Sequence, residues 1–88
     1  MQKAEVQVAN PLGMHARLAF HFTRLCGGYK SAVRISYKDR NGSGKEIMDL
    51  LALGAGPDSY VVIETEGEDE AAALESLTRF LGAGERAG

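Results

Sequence analysis

The spacing of apolar residues switches period several times along this chain, and that limits the architectures open to it. Between Gln2 and Val8 the period is two: Ala4, Val6 and Val8 fall on one side, Glu5 and Gln7 on the other. This is the pattern of a half-buried strand. From Ala16 to Leu25 the period becomes helical, with Ala19, Phe22 and Cys26 at i, i+3 and i+7 and Leu18 and Leu25 beside them. Strands with one wet face and helices with one apolar stripe must bury their apolar sides against each other, so two layers are required. With 88 residues the chain has room for one modest core but not for a large enclosed cofactor as well. We therefore expect a single domain over residues 1–88, with 83–88 as a frayed tail.

The remaining elements follow from the same patterns. Asn10-Pro11-Leu12-Gly13 breaks the first strand. Gly27-Gly28 ends the first helix, where a left-handed cap is expected. Ala32–Tyr37 alternates as a second strand, and Lys38-Asp39 turns it into a short third strand near Arg40–Gly42. Glu46–Leu53 predicts a brief helix closed by Gly54, and Gly56-Pro57-Asp58 a loop. Ser59–Glu66, with Val61-Val62-Ile63, is the strongest strand. Glu68 or Asp69 is expected to cap a last helix over Glu70–Leu81, whose stripe is Ala73, Leu74, Leu77, Phe80 and Leu81. The order is β-α-β-β-α-β-α, an α+β domain whose sheet is antiparallel at least in part. Glu5, Gln7, Arg34, Ser36 and Glu64 should face water.

Charge is distributed unevenly. Residues 1–45 hold eight Lys or Arg against two acids, whereas residues 46–88 hold two against ten. Such polarity suits a charged partner met through one end. Nucleic acid is a poor candidate, since the net charge is −2 and there is no tryptophan. A single cysteine, Cys26, rules out an internal disulfide and any multi-thiolate metal site. No apolar run approaches the roughly 18 residues of a membrane span, and the N-terminus lacks a signal-peptide pattern. A cytoplasmic protein is expected.

The stretch richest in chemistry is Asn10-Pro11-Leu12-Gly13-Met14-His15-Ala16-Arg17. It ends a strand, turns at Gly13, and brings His15 to the start of a helix. First-turn amides and the helix dipole favour an anion there. A neutral imidazole at that point can carry a phosphoryl group while the amides of Ala16, Arg17 and Leu18 face its oxygens. The Arg17 guanidinium adds a charge-assisted contact without competing as a nucleophile.

These eight residues resemble the active-site motif of HPr, the histidine-containing phosphocarrier family of the bacterial phosphotransferase system. Lys45-Glu46-Ile47-Met48-Asp49-Leu50-Leu51-Ala52-Leu53-Gly54 is similar to the family's second signature, and Glu66-Gly67-Glu68-Asp69-Glu70 to its last strand-to-helix turn. The resemblance implies an HPr-like open-faced β-sandwich: a four-stranded antiparallel sheet covered on one face by three helices. It implies that His15 accepts a phosphoryl group on Nδ1 from the phosphoenolpyruvate-dependent enzyme I and passes it to a IIA-type acceptor domain. Arg17 would steady that group. Phe20, Arg24, Ile47, Met48 and Leu51 would form the docking face. No resident cofactor is implied, and a monomer is expected.

Two positions depart from the family pattern. Leu18 stands where the family usually has proline, restoring an N–H at the helix start. Glu46 stands where many Gram-positive relatives carry a regulatory serine, so no phosphorylatable hydroxyl is expected there. Its carboxylate either imitates a phosphate or serves simply as a residue suited to a helix start. These departures keep open a second reading, a regulatory module of the nitrogen-related or carbon-regulation kind that acts by docking. A small acid-anhydride hydrolase is a weaker third, since no general base or metal cluster is evident.

Other features carry less. Gly42-Ser43-Gly44-Lys45 lacks the earlier glycine of a phosphate loop and has Glu46 in place of Ser or Thr. His21 lies six residues past His15, the wrong spacing for a helical metal pair. Cys26 reads as an inert core thiol. The acids from Glu64 to Glu70 lack calcium-loop spacing.

Overall fold

The structure, a computed structural model, describes residues 1–83, so the expected frayed tail falls outside the described residues beyond Ala83. The elements are β1 (Gln2–Gln7), α1 (Ala16–Gly27), β2 (Ala32–Tyr37), β3 (Arg40–Ser43), α2 (Ile47–Ala52), β4 (Tyr60–Glu66) and α3 (Glu70–Gly82). The strands form one antiparallel sheet in the order β1-β4-β2-β3. The strand with the densest β-branched run, β4, is therefore central: it pairs with β1 through Ala4↔Ile63 and with β2 through Ile35↔Ile63. Val61 and Ile63 point inward and are fully buried.

The helices cover that inner face. α3 packs over β1 and β4, while α1 packs against both α2 and α3. The expected stripes form the core, where Leu18, Ala19, Phe22 and Cys26 of α1 join Ala73, Leu77 and Leu81 of α3. Leu25, Leu74 and Phe80 lie half-buried at its edge. Phe22 is fully buried against Phe80, their ring centroids 6.3 Å apart. Truncating such a ring to alanine costs about 3–5 kcal/mol. The other sheet face is polar as expected. Lys3, Glu64, Arg34 and Ser43 lie opposite one another in one cross-strand row. The alternating signs along it are worth a few tenths of a kcal/mol per pair, roughly.

Three local expectations need correction. The first helix runs on to Gly27, and its cap, Gly28, has φ −80 and ψ −6, which is right-handed. The Gly28 N–H donates to Leu25 O and the Tyr29 N–H to Cys26 O, so the last turn tightens and no left-handed residue is needed. Asp69 occupies the cap position of α3, but its carboxylate makes no cap bond. It accepts instead from the Lys30 N–H at 2.8 Å, the Ser31 N–H at 2.9 Å and the Ser31 hydroxyl. One side chain thus ties the α3 entrance to the turn before β2. The Gly67 N–H donates to the Glu70 carboxylate at 3.0 Å, supplying a link at the helix start. Finally, α3 runs one residue past the expected Leu81 and ends at Gly82. The Ala83 N–H donates to Arg79 O.

Candidate functional site

Everything at the His15 end depends on how the chain turns after β1. The Asn10 side chain accepts the Leu12 N–H at 2.9 Å, and the Gly13 N–H donates to Asn10 O at 2.9 Å. Asparagine favours such a turn because its short amide mimics backbone. Gly13 has φ +71, a conformation that disfavours a β-carbon. Its backbone also lies close against the Ala55-Gly56 segment, since an added Cβ would stand 2.6 Å from Gly56 C. Met14 is buried and donates its N–H to Ala55 O at 2.9 Å. The turn is thus fastened to the loop between α2 and β4, and His15 emerges from a rigid mount.

His15 is the N-cap of α1, in extended backbone at φ −93 and ψ 175, and is half-exposed. Its Nδ1 accepts the Arg17 N–H at 3.3 Å, and its carbonyl accepts the Ala19 N–H at 2.9 Å. An accepting Nδ1 carries the lone pair, which puts the proton of a neutral ring on Nε2. The Ala16 and Leu18 amides belong to the first turn, where no carbonyl one turn earlier is helical. No partner is seen for either among the described residues. The Arg17 side chain is exposed, and α1 has no acid in its first turn. One nucleophilic nitrogen, a set of amides and a guanidinium therefore share one helix end. That arrangement suits a small anion held on the ring.

The docking residues anticipated from the sequence lie on α1 and α2, which pack together. Phe20 is 46% exposed and Met48 70% exposed, unlike the core stripes around them. Arg24 is exposed and stacks its guanidinium 5.6 Å from the Phe20 ring centroid. Ile47 and Leu51 are half-buried and packed against the core, so they support this face more than they project from it. Leu12, 70% exposed in the turn before His15, was not anticipated. A leucine between Pro11 and Gly13, with no periodic partner, is the signal that would have found it. Glu46 is the N-cap of α2, exposed and without a side-chain cap bond. Leu18 is buried in the core at 3% exposure, so leucine packs here as well as supplying an N–H.

The remaining candidates take ordinary roles. Gly44 is buried with its N–H donating to Val33 O, and an added Cβ would meet Val33 Cγ1 at 2.6 Å. That glycine is there for packing against Val33 and Cys26. Burial pushes the Cys26 thiol up to about 12, consistent with an unreactive core residue. His21 is exposed and meets the Phe20 ring edge-on. Among the described residues, no group of three or more His, Cys, Asp or Glu is placed to hold a metal ion. No described helix is long and apolar enough to cross a membrane.

Comparison with known proteins accounts for this geometry. The family described as "PTS HPr component phosphorylation site" matches residues 2–83. A phosphocarrier protein HPr of Neisseria meningitidis is 37% identical over 81 residues, which is 92% of this chain and 91% of that protein. The structure of a phosphocarrier protein HPr from Bacillus anthracis superimposes with a TM-score of 0.88 at 30% identity, over 91% of this chain and 95% of that one. HPr from Thermoanaerobacter tengcongensis gives the same TM-score at 26% identity, over 92% and 91%. The four-stranded antiparallel sheet with three helices is thus the HPr architecture. With the match running through both the His15 turn and the last helix, the chain belongs to the HPr family, the phosphocarrier proteins of the phosphotransferase system.

Proposed function

We propose that this single-domain protein works in the cytoplasm as a monomeric phosphoryl relay, with His15 as the carrier residue. The donor is the phosphoenolpyruvate-dependent enzyme I and the acceptor a IIA-type domain. The observation that carries this reading is the Nδ1 lone pair of His15, held at the start of α1 beside the first-turn amides. On loading, that lone pair forms the new N–P bond while the bond from phosphorus to the donor breaks and leaves its electron pair on the donor. On unloading, the N–P pair returns to Nδ1 as the acceptor's nucleophile takes the phosphorus. No proton has to leave Nδ1 at either step, because the ring proton sits on Nε2.

The amides of Ala16, Arg17 and Leu18 and the Arg17 guanidinium then face the phosphoryl oxygens, as charge-assisted donors. Phe20 and Arg24 on α1, with Ile47, Met48 and Leu51 on α2, dock both partners. An exposed aromatic beside arginine, with no acid in α1, fits a transient partner that has an apolar surface rimmed by carboxylates. The relay needs no resident cofactor.

The test is intact mass after incubation with phosphoenolpyruvate, magnesium and enzyme I. The expected result is one acid-labile phosphoryl group that His15→Ala does not acquire although it stays folded. Phosphorylation that persists in His15→Ala refutes the assignment. A second reading, regulatory docking, is favoured by Glu46 and Leu18. It predicts partner binding unchanged by His15→Ala and no phosphoryl uptake by the parent protein.

A further inference from the structure

We infer that Met48 is a site of reversible oxidation by peroxide, and that its sulfoxide weakens docking on the donor enzyme without touching the chemistry of His15; this rests on the docking face proposed above. The sulfur atoms of the chain belong to Cys26, Met1, Met14 and Met48. A cysteine ordinarily reacts first, but Cys26 is fully buried and its thiol is pushed up to about 12, which leaves almost no thiolate near neutral pH. Met14 is 6% exposed in the His15 turn, with its N–H donated to Ala55 O. Met1 and Met48 are both 70% exposed, but in different places. Met1 precedes β1, at the end away from the His15 turn, and its ammonium meets the Glu70 carboxylate at 2.9 Å. Met48 stands on α2, where Ile47 and Leu51 are half-buried and Leu50 is fully buried. The helix thus turns its apolar side inward and leaves Met48 outside, on an element packed against the α1 that carries exposed Phe20. One sulfur alone is both open to solvent and set on the docking face.

An unbranched, polarisable thioether adapts to more than one partner surface, which suits a carrier that must dock on a donor and then on an acceptor. The same sulfur is a nucleophile toward peroxides. Its lone pair takes one oxygen of hydrogen peroxide, the O–O bond breaks, and the departing hydroxide leaves as water with the proton of the transferred oxygen. Sulfur loses two electrons and the peroxide gains them. The product is a polar, chiral sulfoxide. Inside an apolar contact its oxygen needs a donor that a surface shaped for a thioether does not offer, so docking loses affinity. The carrier itself loses nothing, because the Met48 side chain lies outside the core. The two thiols of a methionine sulfoxide reductase reverse the change, ending as a disulfide with release of water.

The test treats the native protein with hydrogen peroxide, maps the added oxygen by peptide mass, and measures loading by enzyme I. Oxygen is expected on Met48 and Met1, with Met14 and Cys26 spared until the protein is unfolded. The KM of the oxidised carrier should rise by about tenfold, the order expected for one buried polar group left unpaired. Its kcat, its unfolding midpoint and the hydrolysis rate of its phosphohistidine should stay as before, and sulfoxide reductase should restore the KM. Met48→Leu, still oxidised at Met1, should show the same KM before and after peroxide. Sparing of Met48, or an equal loss in peroxide-treated Met48→Leu, overturns the inference. A Met48 sulfoxide that leaves KM unmoved while Phe20→Ala raises it overturns the inference alone. If neither change moves KM, the docking face falls with it.

Discussion

Three glycines around the His15 turn offer a graded test of whether backbone contact holds the site. At Gly13 an alanine meets two independent costs. A β-carbon at φ +71 costs about 1–2 kcal/mol. That carbon would also stand 2.6 Å from Gly56 C, 2.7 Å from Gly56 Cα and 2.8 Å from Ala55 O. All three are backbone atoms, so relief requires moving the α2–β4 loop, at a typical overpacking cost of about 1–3 kcal/mol. Gly13→Ala should therefore lose about 3–4 kcal/mol, which for a domain of this size lowers Tm by roughly 15–25 °C.

Gly54 shares the φ of +71, but its Cβ would meet only Arg40 Nη1, at 3.1 Å. That atom is the far end of a flexible side chain and moves away cheaply, leaving a loss of about 1 kcal/mol. Gly56 has no positive φ and nothing within 4 Å of a Cβ, so Gly56→Ala should be neutral or stabilising by about 0.5 kcal/mol. Urea unfolding of the three variants provides the measurement, alongside phosphoryl uptake. Gly13→Ala should also load poorly at temperatures where it is folded, because the clash displaces the mount of His15. Equal midpoints for Gly13→Ala and Gly56→Ala would refute the reasoning, whatever their absolute values.

Other parts of the molecule yield further predictions. The Ser31 hydroxyl, and next the Lys30 N–H, hold the Asp69 carboxyl below the usual carboxylate range. The Gly67 N–H, then the N-terminal ammonium, do the same for Glu70. Their stabilisation is fully present above the ordinary carboxylate pKa of about 4 and is lost as pH falls through the depressed native values. Asp69→Asn should flatten the acid limb of a stability-against-pH curve, and an unchanged limb would contradict the clasp. With its thiol at about 12, Cys26 should resist alkylation in the native protein at pH 8 and react on unfolding. Phe20→Ala, at a site 46% exposed, should change stability by no more than about 0.5 kcal/mol while raising the KM for the carrier with its donor enzyme. A large stability loss would instead make Phe20 a core residue.

How far these features were legible depends on whether their cause is local. The stripes of α1 and α3 and the β-branched run of β4 are written in short-range periodicity, and the core used them as read. The His15 turn was legible for the same reason, since Pro11, Gly13 and a helix-starting histidine act within a few residues. The order β1-β4-β2-β3 was not, because pairing partners are chosen across the whole chain. Asp69 has the sequence signature of a helix cap, yet it serves Lys30 and Ser31, 39 and 38 residues away. A buried Ser31 hydroxyl in need of an acceptor outcompeted the local cap, and nothing near Asp69 in sequence announces that. Gly27-Gly28 misled for the opposite reason. Glycine permits a left-handed cap without requiring one, and here the chain turns with ordinary right-handed angles.

The central claim is that Nδ1 of His15 carries the phosphoryl group, and the most direct measurement is nitrogen–phosphorus coupling in nitrogen-labelled protein loaded by enzyme I. The account predicts coupling to Nδ1 of His15, with the Nε2 proton retained and no signal on His21. Phosphorus attached to Nε2, to His21 or to a hydroxyl would contradict it.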